Sequence, residues 1–121
     1  MAMLEWNEYH EQLKKRNAQI MHDSPEILRG YRTLSNAGNS TNQLDAKTRE
    51  LIAIAVAVTL HCDGCIVVHT DAALKAGATE GEIVEALGVA ITVNAGSALI
   101  FSGRVLDAAQ AINSLKKDKN V

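Results

Sequence analysis

Between Arg49 and Thr70 the chain carries both of its cysteines, two of its four histidines, and an acid, Glu50, at the head of an apolar run. That run constrains the fold more than any other stretch. Ile52, Ile54, Val56 and Val58 alternate with Ala53, Ala55 and Ala57, and a period of two is a strand signature. Yet Asp45 stands ahead of it as an N-cap, the segment from Ala46 to Leu60 is long for a strand, and it is rich in alanine. These features predict a helix, buried on nearly all sides. Beyond it, at about 100° per residue, Cys65 falls about 60° and His69 about 20° from Cys62 around a helix axis. All three then share one face.

The rest of the chain reads as further helices. Residues 3 to 20 form a peripheral helix with Leu4, Trp6, Leu13 and Ile20 as its inward candidates. Ser24, Pro25 and Glu26 make a good helix start, with a cap, a proline at the first helical position and an acid in the first turn. That helix continues through Ile27, Leu28, Tyr31 and Leu34 and ends at Asn36–Ser40, a loop signal. Another carries Cys65 to Lys75 and stops at Gly77. Thr79 and Glu82 have the spacing of a capping box and open a helix with Ile83, Val84, Leu87 and Ala90 inward. Asn94–Ser97 reads as a break, after which Leu99, Val105, Leu106, Ala109 and Ile112 mark the last helix or two. The expected fold is an all-α helical bundle in one domain over residues 1–121.

Only 3% of the residues are aromatic although 47% are hydrophobic, so the core is built from small aliphatic side chains. These bury little area each, which points to subunit association. A formal net charge of −2 and a pI near 6.0 do not suggest a nucleic-acid or acidic-membrane partner. Ala86 to Gly103 carries no charge, but glycines and polar residues interrupt it, so a buried helix is favoured over a membrane span. The N-terminal segment lacks the apolar core of a signal peptide, and a cytoplasmic location is expected. In a reducing compartment a close cysteine pair is more often catalytic or metal-binding than a staple.

Two residues between cysteines let their sulfurs meet when the motif opens a helix, and the helix N-terminus lowers a thiol pKa. One thiol can then attack and the other resolve a sulfenic acid or mixed disulfide. The helix dipole favours Cys62 as the attacking thiol. Proximity of a base favours Cys65, because His69 lies four residues on, and Glu50 can orient His69 if its helix packs alongside.

Glu50, eleven intervening residues, then Cys62, Cys65 and His69 as Cys-x-x-Cys-x-x-x-His resemble the alkylhydroperoxidase D-like branch of the carboxymuconolactone decarboxylase family. The resemblance runs from about Asp45 to Gly103, and Ala76–Leu87 shares it. It implies an all-helical subunit of a homotrimer or homohexamer, without a cofactor, acting as a thiol peroxidase or disulfide reductase. By position, Cys65 resembles the thiol that attacks peroxide and Cys62 its resolving partner, with Glu50 and His69 as the proton relay. The implied partners are a small or organic hydroperoxide and an external thiol or dithiol donor, such as a lipoyl protein or a thioredoxin-like protein. One departure stands out: close members carry a second histidine between the cysteines, where this chain has Gly64. The decarboxylase branch generally lacks the cysteine pair.

Three other readings compete with this one. His61, Cys62, Cys65 and His69 supply four zinc-type donors, although His61 would point about 100° from Cys62 on a helix. A thioredoxin-like fold would need strands and a proline downstream of the motif, whereas the one proline is Pro25. A helical oligomer with idle or redox-sensing thiols is the non-enzymatic alternative.

Overall fold

The computed structural model describes residues 2–119, and among them there are seven helices and no strand. They are α1 (Trp6–Asp23), α2 (Pro25–Ser35), α3 (Ala37–Thr41), α4 (Ala46–Leu60), α5 (Asp63–Lys75), α6 (Glu80–Phe101) and α7 (Gly103–Lys119). The all-α expectation holds. Local signals set most boundaries. The Asp45 carboxylate accepts the Thr48 backbone N–H at 2.7 Å, which caps α4. Thr79 and Glu82 close a full capping box at the head of α6, at 3.1 and 2.9 Å. Gly77 takes a positive φ of 92° just past α5, a conformation that favours glycine.

The centre of the molecule is α4, which packs on α5 and α6. Its buried side chains are Ile54 and Ala57; Ala73 of α5, Ala78 in the following turn and Ala90 of α6 are the other buried hydrophobics. Leu51, Ile83 and Leu87 pack around Ile54, Ala73 and Ala78. Four of these five buried residues are alanines, so the helix backbones approach closely while little area is buried at each contact. An α1–α2 hairpin lies against α5 and contributes no fully buried side chain.

Several expectations need correction. Ile52, Val56 and Leu60 form an outward row at 50, 52 and 67% exposure, so α4 is not enclosed on nearly all sides. Their spacing of four is helical, which explains how an alternating pattern serves a helix with two differently covered faces. Leu4, Ile20 and Val84 are exposed rather than inward. Asn36–Ser40 is not a loop, since most of it lies in the short helix α3. The break at Asn94–Ser97 does not occur, and α6 runs straight through it. The Asn94 amide donates to the Ala90 carbonyl one turn back at 2.8 Å and to the Thr59 hydroxyl of α4 at 3.0 Å. Its polar group is thus satisfied without interrupting the ladder. The chain turns instead at Ser102, whose hydroxyl donates to the Ala98 carbonyl at 2.6 Å. A serine bonded back in this way weakens the last turn. By length and composition, the stretch Glu80–Lys119 is apolar enough to cross a membrane, and only 6% of its most apolar window is buried.

One ion pair joins the first turns of α4 and α6: the Lys47 ammonium lies 2.8 Å from Glu82. It holds the Glu82 carboxyl below its ordinary value of 4.5, helped by the Thr79 backbone N–H, and raises Lys47 above its ordinary range. A lowered carboxyl contributes stability above its unfolded value, and that contribution is lost as pH falls through the folded value. The melting temperature is therefore expected to fall below about pH 4.5 with a smaller slope in Glu82→Gln than in the wild type. An equal slope in thermal scans across that range would remove the pair from the stability of the fold.

Candidate active site

Cys62 ends the link between α4 and α5. His61 closes α4 in the left-handed region at φ 55°, its N–H donating to the Val58 carbonyl at 3.3 Å. The Cys62 N–H donates to the Ala57 carbonyl at 3.1 Å, completing a Schellman-type turn. Cys62 is then the N-cap of α5, and its sulfur accepts the Cys65 backbone N–H at 3.2 Å. Cys62 and Cys65 are disulfide-bonded, with Cα atoms 5.2 Å apart. Both sulfurs therefore sit in the positive field of a helix N-terminus.

One turn beyond Cys65, His69 points back toward α4. Its Nδ1 lies 2.7 Å from a Glu50 carboxylate oxygen, and both side chains are about three-quarters buried, at 25 and 27% exposure. A carboxylate only accepts, so Nδ1 is the donor of this bond, the arrangement in which a neutral imidazole carries its lone pair on Nε2. Antiparallel packing of α4 and α5 makes this contact across 19 residues of sequence. The four residues singled out from sequence thus form two bonded pairs one helical turn apart. His61 stands apart, exposed in the left-handed link between α4 and α5 and not on the helix that carries Cys65 and His69. Among the described residues no group of three or more such donors is placed to hold a metal ion. The all-helical fold among the described residues removes the thioredoxin-like reading, which needs strands.

Two cavities flank His69. One, of 360 Å³, is lined by both cysteines, Gly64 and Val68 of α5, by Leu13, Asn17 and Ile20 of α1, and by Ile27, Leu28 and Tyr31 of α2. The other, of 420 Å³, is lined by Glu50, Arg49 and Ala53 of α4 and by Ser35, Asn36 and Asn39. In the sequence Leu13 reads as an inward helix position, and Leu28 and Tyr31 only as points along a helical spacing. Nothing local marks them as cavity walls, because the α1–α2 hairpin reaches the cysteines only through the tertiary fold. Arg49 was missed altogether. Its guanidinium donates to the Gly38 and Leu44 carbonyls and to Asn39 and Asn42, tying α3 to α4 beside Glu50. A Cβ at Gly38 would come within 2.9 Å of the Arg49 side chain, so any larger residue there would have to push the arginine aside.

A chain of short helices with a Cys-x-x-Cys disulfide at one helix head, backed by a Glu–His pair from its neighbour, defines a class of helical thiol proteins. Residues 25–110 match the carboxymuconolactone decarboxylase family, and the chain belongs to that family. An uncharacterized protein of Haemophilus influenzae is 46% identical over 104 residues, covering 86% of this chain and 92% of its own length. An uncharacterized protein from the cox locus of Paracoccus denitrificans is 37% identical over 76 residues, covering 63% of this chain and 68% of its own. Among solved structures, an apo carboxymuconolactone decarboxylase family protein from Legionella pneumophila superposes with a TM-score of 0.70 at 33% identity, covering 85% of this chain and 92% of its own. A protein from Methanobacterium thermoautotrophicum superposes at 0.65 with 34% identity, covering 71% and 97%.

Gly64 is where α1 presses on the disulfide turn. A Cβ there would meet Leu13 at 3.4 Å and the Tyr9 hydroxyl at 3.8 Å, so a methyl fits and anything longer must displace α1. Gly64→Ala is expected to leave stability unchanged or raised, and Gly64→His to lower it by about 1–3 kcal/mol. Denaturant midpoints compare the two, and a histidine variant as stable as the alanine one would mean that α1 is not seated on this turn.

Proposed function

We propose that the chain is a cytoplasmic thiol peroxidase or disulfide oxidoreductase of the alkylhydroperoxidase D-like type, reducing small or organic hydroperoxides. The observation that carries this reading is the Cys62–Cys65 pair at the head of α5 with the Glu50–His69 pair one turn behind it. In the reduced protein, His69 takes the Cys65 proton while Glu50 stabilises the imidazolium. The Cys65 sulfur attacks the peroxide: an S–O bond forms, the O–O bond breaks, and the departing alkoxide takes the proton back as an alcohol. Cys62 then displaces hydroxide from the Cys65 sulfenic acid, giving the disulfide and water. An external thiol or dithiol donor, such as a lipoyl or thioredoxin-like protein, returns both thiols and leaves as its own disulfide. The mostly apolar walls of the cysteine cavity suit an organic hydroperoxide. The cysteine pair argues against the lactone decarboxylase reaction, since it has no part to play there.

Cys65→Ser is expected to abolish peroxide consumption. Cys62→Ser should leave a sulfenic acid that dimedone captures, and Glu50→Gln or His69→Gln should slow attack by about 10²-fold. Titrating free thiols before and after a peroxide pulse separates this enzyme from a helical oligomer with idle thiols. Loss of two thiols per subunit within the turnover time supports the enzyme, and full turnover in Cys65→Ser refutes it.

The same reading makes the chain a subunit of a homotrimer or homohexamer. It exposes 9701 Å², whereas a compact monomer of this mass exposes about 6,300 Å². The excess is of the size that obligate interfaces bury. It includes the outward row of Ile52, Val56 and Leu60 on α4 and Val105, Ile112 and Leu115 on α7. Sedimentation equilibrium is expected to give a multiple of 13.0 kDa, and a monomer at micromolar concentration would overturn this assignment.

A further inference from the structure

Two contacts fix how α6 runs along α4. Lys47 pairs with Glu82 near both helix starts, and Thr59 with Asn94 near the end of α4, each partner 35 residues further on. The two helices are therefore parallel and in register, and the same offset brings the end of α4 at Leu60 level with Ala95. Beyond that point α6 has no α4 beside it. Ser102 keeps helical backbone angles, φ −60° and ψ −25°, and among the described residues α7 packs on no helix but α6. This overhang carries Ala98, Phe101, Val105, Ala108, Ile112 and Leu115 at alternating spacings of three and four. Such a row is the seam of a helix that pairs with another helix. Here it faces solvent, with Phe101, Val105, Ile112 and Leu115 between 56 and 69% exposed. A helix in a protein draws most of its stability from packing such a face, and this one finds no cover in its own chain.

We propose that α7 pairs antiparallel with α7 of a second copy of this chain around a two-fold axis. Val105 then lies opposite the partner's Leu115, and Ala108 opposite the partner's Ile112, each layer occurring twice. Ala109 and Ala111 flank the seam, and side chains this short let the two backbones come close. The same alignment sets Arg104, which stands over the Phe101 ring at 4.5 Å, beside the partner's Asp118. A parallel pair would instead bring Lys116, Lys117 and Lys119 against their own copies, which repulsion disfavours. A bilayer surface would call for a broad apolar face. On α7 the apolar strip is narrow, and Asp107, Gln110, Asn113 and Ser114 fill much of the remaining circumference. The proposal rests on the association of subunits read above and names the contact that makes it, independently of the thiol chemistry. A two-fold contact fits a homohexamer built as three pairs and does not close a homotrimer.

Two measurements on the full chain test the pairing. In sedimentation equilibrium the wild type is expected to hold an even number of subunits. Ile112→Glu, in the middle of the seam, should halve that mass, and Gln110→Glu on the far side of α7 should leave it unchanged. Neither position touches the packed helices α4 and α5, so loss of the bundle is not the expected cause of a change. A trimeric wild type would overturn the arm pairing and leave subunit association standing. A monomeric wild type would overturn both, and a monomer that floats with phosphatidylserine vesicles would make the seam a membrane face. An unchanged mass in Ile112→Glu would also overturn the pairing. The second measurement fixes direction. Val105→Cys with Leu115→Cys in one chain should give a covalent dimer on mild oxidation, with the link between positions 105 and 115 found by peptide mass. Neither single variant should, because identical positions then lie about 15 Å apart along the axis, beyond the reach of a disulfide. Dimers from either single variant would mean a parallel pair, and none from the double variant would mean that the arms do not meet. Either result overturns the proposal.

Discussion

Close packing of α4 against α5 is the constraint on which the site depends. Ala57 and Ala73 are 2 and 0% exposed, and side chains this small let the two helices lie near enough for a glutamate of one to reach a histidine of the other. The 2.7 Å contact between Glu50 and His69 spans 19 residues and is the one side-chain hydrogen bond that joins α4 to α5 among the described residues. Larger residues at positions 57 or 73 would separate the backbones and take the carboxylate out of reach. The scarcity of aromatic residues, which weakens the core of a lone subunit, is in this sense a condition of the chemistry. What the subunit lacks in buried area lies on its outside, along α4, α6 and α7.

The same economy explains what could be read from the chain in advance. Asp45, Thr79 and Glu82 act within three residues of their partners, and Gly77 acts through its own backbone, so their roles were legible. The cysteines and His69 lie within eight residues, and helical geometry alone puts them together. Asn94 misled because its partner, Thr59, lies 35 residues away on another helix. With that partner a residue that usually interrupts a helix becomes a cross-link between two. Asn36–Ser40 misled for a related reason, since Arg49 supplies the donors that hold α3 folded from 10 or so positions further on. Val84, Leu4 and Ile20 were placed inward on hydrophobicity, but helical periodicity names an apolar face without saying whether the same chain covers it. The walls of the cysteine cavity were beyond reach for that reason too.

The helix start treats the two sulfurs differently, and the proposed order of attack follows that difference. Cys62 is the cap, and the Cys65 N–H points at its sulfur. That hydrogen bond and the helix dipole stabilise negative charge on Cys62 whenever the disulfide opens. A stabilised thiolate is a good leaving group, so an incoming donor thiol breaks the bond by attacking Cys65 and releasing Cys62. The same stabilised thiolate is available to close the bond again on a Cys65 sulfenic acid. Among the described residues no such N–H meets the Cys65 sulfur, and on the proposed reading its ionisation falls to His69 one turn on, with Glu50 behind it. Two sources of charge stabilisation, the backbone for one sulfur and a side-chain pair for the other, thus divide the labour. A symmetric environment would make both thiols equally reactive and leave the order of attack to chance, whereas on the proposed reading each sulfur is activated by the device suited to the step assigned to it.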